Sequence, residues 1–138
     1  MHKDYPNAHK WSEAVIGAAI EVHRQKGPGL LEDIYETCMM LECELREIPA
    51  ARQVMVPLEY KGKRLEQSLR LDLIVDGCLI VEIKAVERLL PIHKAQLLTY
   101  MKLMDAPLGL LINFHSVVLK GGVVRMILQG ADAENVDF

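Results

Sequence analysis

The stretch Arg70-Leu71-Asp72-Leu73-Ile74-Val75-Asp76-Gly77-Cys78-Leu79-Ile80-Val81-Glu82-Ile83-Lys84 decides the fold of this chain. Aliphatic and β-branched residues run up to Asp76-Gly77, a dipeptide suited to positive φ, and then resume, which is the pattern of two strands joined by a turn. Leu71, Leu73 and Val75 alternate with Arg70, Asp72 and Ile74, and Leu79, Val81 and Ile83 alternate with Ile80, Glu82 and Lys84. Each strand therefore has one wholly apolar face. A strict two-residue turn would pair Asp72 with Val81 and put Asp72 and Glu82 on opposite sides of the sheet. A three-residue loop, with Gly77 as the left-handed residue of a G1 bulge, changes the parity and gathers Leu71, Leu73, Val75, Leu79, Val81 and Ile83 on one face. The hydrophobic pattern requires this second register, and it leaves Asp72, Glu82 and Lys84 together on the other face.

Charges inside strands this apolar are costly unless paired or metal-bound. Two converging carboxylates with an amine two residues beyond the second make a hard-cation site beside a positive charge. Magnesium suits such a site, because it takes oxygen ligands and is usually held by one or two carboxylates plus substrate phosphates. The Lys84 ammonium could orient or help deprotonate a water and stabilise charge developing on a phosphate. The plain alternative is a carboxylate salt-bridged to Lys84 or Arg70 in a half-exposed sheet.

Asp72, nine intervening residues and then Glu82-Ile83-Lys84 resemble the D…ExK core of the PD-(D/E)XK nuclease superfamily. Gly29-Leu30-Leu31-Glu32-Asp33-Ile34-Tyr35 matches the name-giving pattern of the GxxExxY protein family. Gln96 through Tyr100 resembles the QxxxY helix motif of many such nucleases. The similarity to the GxxExxY family extends from about Ile16 to Ile127, with Leu71 standing where the superfamily name has proline. The resemblance implies a metal-dependent nuclease acting on DNA or RNA. Asp72, Glu82, Lys84, Glu32, Gln96 and Tyr100 would be its catalytic residues, and Asp72, Glu82, the Ile83 carbonyl and Glu32 would hold Mg²⁺ or Mn²⁺. Tyr35, His93 and Lys94 would contact substrate. Its partner would be nucleic acid, DNA ahead of RNA, with no membrane, and a homodimer or a protein partner stays open. The alternative is a catalytically silent nuclease-fold module that binds nucleic acid or protein.

The remaining sequence is compatible with this. The 138 residues suit one domain spanning 1–138, long enough to bury roughly 68–70% of the unfolded surface. No run approaches the ~20 apolar residues of a membrane span, the polar start lacks the apolar segment of a signal peptide, and a cytoplasmic protein is expected. Three cysteines without CxxC spacing suggest neither a disulfide framework nor a zinc site. A net charge of −3 argues against a broad nonspecific nucleic-acid coat, although Lys61, Lys63, Arg64, Lys94 and Lys102 could form a local basic strip.

The expected order of elements is α, α, β, β, β, α, β, β. With one added helix and one added strand it matches the restriction-endonuclease-like αβββαβ core that the resemblance implies, a three-layer α/β fold of α+β type with a mixed central sheet flanked by helices. A first helix capped by Ser12 ends at Lys26-Gly27-Pro28-Gly29. His23, near that end, is a dipole partner before it is a functional group. A second helix covers about Leu30 to Arg46, with Leu31, Ile34, Cys38, Leu41 and Leu45 as its apolar stripe and Glu32 in its first turn. Two strands flank Lys61-Gly62-Lys63, with Pro57 suited to an edge. A third helix starts at Pro91. The apolar run Gly109 to Phe114 is a strand parallel to the one carrying Glu82, Val123 to Leu128 is a last strand, and Ala131 to Phe138 is a loose acidic tail.

Overall fold

A computed structural model describes residues 1–133. The chain forms α1 (Tyr5–Lys26), α2 (Glu32–Leu45), β1 (Ala50–Tyr60), β2 (Lys63–Val75), β3 (Leu79–Lys84), α3 (Pro91–Met104), β4 (Leu108–Asn113), a 3₁₀ turn at Leu119–Gly122 and β5 (Val123–Ile127). The five strands lie in the order β1-β2-β3-β4-β5. Only the β3–β4 neighbours are parallel, as expected where a helix makes the crossover, and all other pairs are antiparallel. The sheet is mixed and covered by helices on both faces, which is the expected three-layer architecture.

Against one face α1 and α2 pack on Leu73, Val75, Leu79, Val81, Ile83, Leu110 and Ile112; on the other, α3 brings Leu97 and Met101 against Ile74, Ile80 and Leu111. Gly109 sets how close α3 comes. A Cβ there would lie 2.7 Å from Met101 Sδ and 2.9 Å from Leu97 Cδ1, so any side chain at this position would force these two buried side chains to shift.

The β2–β3 register pairs Leu73 with Val81, Ile74 with Ile80 and Val75 with Leu79, leaving three residues in the loop as the hydrophobic pattern requires. The turn is made differently from a simple G1 bulge. Both Asp76 (φ 49°) and Gly77 (φ 65°) are left-handed, and Cys78, which donates its N–H to the Val75 carbonyl, is the extra residue that restores parity. The Asp76 carboxylate is anchored to α1 through Asn7 and the Trp11 indole N–H.

Several boundaries and faces differ from expectation. Helix α1 begins two turns earlier, with proline in its first turn, and Ser12 lies inside it, donating its hydroxyl to the His9 carbonyl. Helix α2 buries Tyr35, Glu36, Met39 and Cys43, whereas the stripe Leu31, Ile34, Leu41 and Leu45 faces outward at 71, 40, 57 and 79% exposure. Leu71 leaves its expected face to join the α3-side cluster with Val56 and Ile74. The reason is local. The ladder to β3 ends at Leu73–Val81, and Gln53 of β1, between the pairs Arg52–Leu73 and Val54–Leu71, has φ +53°, so strand alternation breaks beside Asp72. Of the expected tail, Ala131 is buried and accepts the His2 N–H, while residues 134–138 lie outside the described part. No helix among the described residues is long and apolar enough to cross a membrane.

Candidate active site

Where the β2–β3 ladder stops, side-chain carboxylates replace it. The Asp72 N–H donates to Glu82 Oε1 at 3.2 Å, and the Ile83 N–H donates to Asp72 Oδ2 at 2.8 Å. The two strands thus fork, and the two acids fill the fork. Glu82 is 6% exposed and Asp72 is half-buried.

Burial is the largest reason both carboxyls resist ionising. For Glu82 the neighbouring Asp72 charge adds to it, and its pKa is pushed up to about 8. Asp72 is raised too, mainly by burial and further by the Glu36 charge, against the pull of the Ile83 N–H and of the bond to Glu82. Lys84 lowers both, but weakly. Without a cation, the pair therefore holds a proton on Glu82 at neutral pH.

Helix α3 closes one side of the fork. The Tyr100 phenol is raised above its ordinary range by burial and then by the Glu82 and Asp72 charges, so it lies within electrostatic reach of the pair. Gln96, one turn earlier, lines with Tyr100, Leu69, Ile92 and Thr99 a groove of about 240 Å³ between α3 and β2. Lys84 is half-buried at the end of β3, opposite Asn113 of β4.

Helix α2 reaches the fork with a residue that the sequence reading missed. Glu36 is 5% exposed, accepts from Arg52 Nε at 3.1 Å and from the Gln53 amide, and bears on Asp72 electrostatically. The available signal was its spacing: Glu36 is one turn beyond Glu32 and on the same helical face. Glu32 itself is exposed and accepts the Ala85 N–H at 3.3 Å, just past Lys84. Among the described residues no three His, Cys, Asp or Glu side chains come together as a metal-binding group, so Glu32 stands apart from the Asp72–Glu82 pair.

Of the three residues expected at substrate, Tyr35 and His93 have structural partners and Lys94 is open to solvent. Tyr35 is fully buried, stacked on Phe114 with ring centroids 4.6 Å apart, and its hydroxyl donates to the Gly27 carbonyl while accepting the Leu30 N–H. It ties the Gly27–Leu30 loop to the core and offers no surface to a substrate. His93 caps α3, its Nδ1 accepting the Leu90 N–H at 3.0 Å. Lys94 is exposed on the rim of a cleft of about 390 Å³ with Arg88, Asn113 and Gly122. His23 donates its Nε2–H to the Ser116 carbonyl, 2.7 Å away, and joins α1 to the loop after β4.

The family model described as the PD-(D/E)XK nuclease superfamily matches residues 9–126. The chain belongs to that superfamily. Its members cleave nucleic acids and generally use divalent metal ions. No curated protein and no solved structure matches the chain significantly.

The donor set at the fork fits a PD-(D/E)XK metal centre. Two carboxylates, oxygen donors only, meet at a fork where burial and then their mutual repulsion oppose double ionisation, and a hard divalent cation is the partner that would let both ionise.

Proposed function

We propose that this protein is a magnesium-dependent phosphodiesterase that hydrolyses nucleic acid, DNA in preference to RNA, as a single nuclease-like domain of the GxxExxY type acting in the cytosol. The observation that carries this reading is the fork itself: Asp72 and Glu82 end the ladder, each carboxylate accepts a backbone N–H from the opposite strand, and the pair resists the double ionisation that a cation would permit. A purely structural strand pair would gain more from continuing its backbone bonds than from burying two acids that repel.

Asp72, Glu82 and the Ile83 carbonyl would hold Mg²⁺ or Mn²⁺, with Glu32 joining from α2 when the loop after Lys84 adjusts. When bound, such an ion supplies Lewis-acid polarisation of a phosphate and a more acidic water. Lys84 orients the attacking water and stabilises negative charge that develops on the phosphate oxygens. Tyr100, which feels the charges of both acids, and Gln96, one turn before it on α3, would steady Lys84 or the substrate backbone. Glu36, held by Arg52 and Gln53, keeps Asp72 basic and fixes the start of the fork. Lys94 contributes positive charge near the substrate path.

The test is a cleavage assay with Mg²⁺ or Mn²⁺ on single-stranded, duplex and branched DNA and RNA, with Lys84→Ala as control. Cleavage lost in the variant supports the assignment; no cleavage of any substrate by protein that demonstrably binds the ion overturns it. A second reading is favoured by the outward leucines of α2: a silent nuclease-fold module that assembles with a second copy or another protein. A stable partner together with no metal-dependent cleavage would select it.

A further inference from the structure

We propose that the outer half of the β1–β2 hairpin is an arm that lies in the major groove of duplex DNA and holds it at the carboxylate fork. The inference deepens the nuclease reading and rests on it for what happens at the fork, because it names the form of nucleic acid that the site takes.

The arm exists because β1 and β2 outrun the sheet. Strand β3 pairs with β2 only from Leu73 to Val75, and packing against α3 ends at Val56 and Leu69. Beyond that point β2 is exposed from Lys63 to Ser68, and on β1 only Leu58 is half-buried after Val56. From Leu69 to the tip at Lys63 the ribbon projects about 20 Å, at ~3.3 Å per residue. An isolated two-stranded ribbon is marginal in water. A chain that keeps one this long, with its root fixed in the core, has an apparent use for it outside the core.

Its chemistry favours an anionic partner. Residues 55–70 carry Lys61, Lys63, Arg64 and Arg70 against Glu59 and Glu66, a local net charge of +2 in a chain of −3. Apolar groups are interleaved: Met55 is 52%, Tyr60 65% and Leu65 39% exposed, and Lys61 Nζ sits 5.5 Å from the Tyr60 ring centroid. Positive charge on the one projecting element and negative charge on the remainder is how a protein of acidic balance can grip a polyanion at one place.

Shape then selects among polyanions. A B-DNA major groove about 12 Å wide admits a two-stranded ribbon. The major groove of A-form RNA is too narrow and deep for side chains to read, and single strands are held by a series of stacking aromatics, of which the arm offers Tyr60 alone. The register shift between Pro57 and Glu59 is of the bulge type that increases right-handed twist in a two-stranded ribbon, the hand a groove requires. Addition of a partner protein's strand to the β1 edge is disfavoured, because Pro57 lacks an amide hydrogen and Gln53 has φ +53°.

The test uses the triple variant Lys61→Ala, Lys63→Ala, Arg64→Ala and, separately, the charge-preserving Lys61→Arg, Lys63→Arg, Arg64→Lys. Binding to a labelled 20-base-pair DNA duplex, a duplex RNA of the same length and single-stranded DNA is measured by anisotropy in EDTA against salt concentration. The alanine variant should lose about tenfold or more in duplex DNA affinity, and its log K against log salt should flatten by up to ~3. The charge-preserving variant should bind as wild type. The melting temperature and Mn²⁺ titration should be the same in all three proteins, which separates the arm from the fold and the fork. Unchanged duplex binding and salt slope in the alanine variant would overturn the proposal. So would wild type that prefers RNA or single strands, or variants that lose a protein partner instead of DNA. The two proposals fail separately. Arm-dependent duplex binding without any cleavage keeps the arm and removes the nuclease, whereas cleavage indifferent to the arm residues does the reverse.

Discussion

Strand β2 is two different objects joined at Asp72. From Leu71 to Val75 it is core: Leu71, Leu73 and Val75 are fully buried, and the strand has neighbours on both sides. From Lys63 to Ser68 it has β1 alone beside it and water around it. The inner half is held by apolar burial and cannot be altered cheaply, while the outer half costs little to change and is free to serve a partner. The acid at the boundary belongs to both. It loses its ladder partner to the fork, and its carboxylate takes over the bond that a backbone carbonyl would have made to Ile83. A site placed where a rigid half meets a projecting half has its reactive groups fixed and its substrate surface adjustable.

The sharpest way to break this contrast is at the fork. Lys84→Ala and Asp72→Asn should each lower cleavage by about 10³-fold or more, as removal of charge-stabilising groups does, yet both should remain folded by circular dichroism. Only Asp72→Asn should also weaken Mg²⁺ in isothermal titration. If Asp72→Asn instead unfolds the protein, Asp72 is a structural partner and the fork is not a site. Next in size is Leu73→Ala in the inner half, which should cost about 2–5 kcal/mol in urea unfolding through the cavity it leaves. Leu65→Ala in the outer half should cost within about 0.5 kcal/mol by the same measurement. Equal costs would mean that the arm is folded against something.

A third effect concerns pH. Without metal, Glu82 titrates at about 8 in the folded state, above its ordinary 4.5. Between those values the folded chain keeps a proton that the unfolded chain has shed, so stability is greatest at the acid end of this window and falls as pH rises toward 8. Scanning calorimetry of metal-free protein from pH 5 to 8 should show that decline. Glu82→Gln should flatten it, and a rising melting temperature would exclude a buried, proton-holding Glu82. Smallest is Glu36→Gln: it removes a charge that raises the Asp72 pKa, so Mg²⁺ should bind only a few-fold differently while the fold persists.

The β2–β3 hairpin and its parity were legible because a period-two pattern has only two registers, and one of them mixes apolar faces. Helix α3 and the buried β4 were legible for similar reasons: a proline start and an uninterrupted apolar run. Helix α2 misled because it carries two apolar stripes. Tyr35, Met39 and Cys43 recur at four-residue steps and take the sheet, while the more aliphatic Leu31, Ile34, Leu41 and Leu45 do not. Periodicity locates a stripe but does not say which of two is covered. Glu36 was overlooked for the same reason, since it lies on the face that was not expected to be inside. The early start of α1 had no side-chain cap to announce it.

Gly109 has a consequence for engineering. Since the Met101 thioether would lie 2.7 Å and a Leu97 methyl 2.9 Å from a Cβ at that position, Gly109→Ala would make those two buried side chains, and α3 with them, give way. The same helix carries Gln96 and Tyr100, so a shift of α3 would move both while leaving every acid and the lysine in place. A single methyl group, apolar and buried, would then serve as a dimmer on activity: graded by side-chain size from alanine to valine, and invisible to any inspection confined to the residues around the fork.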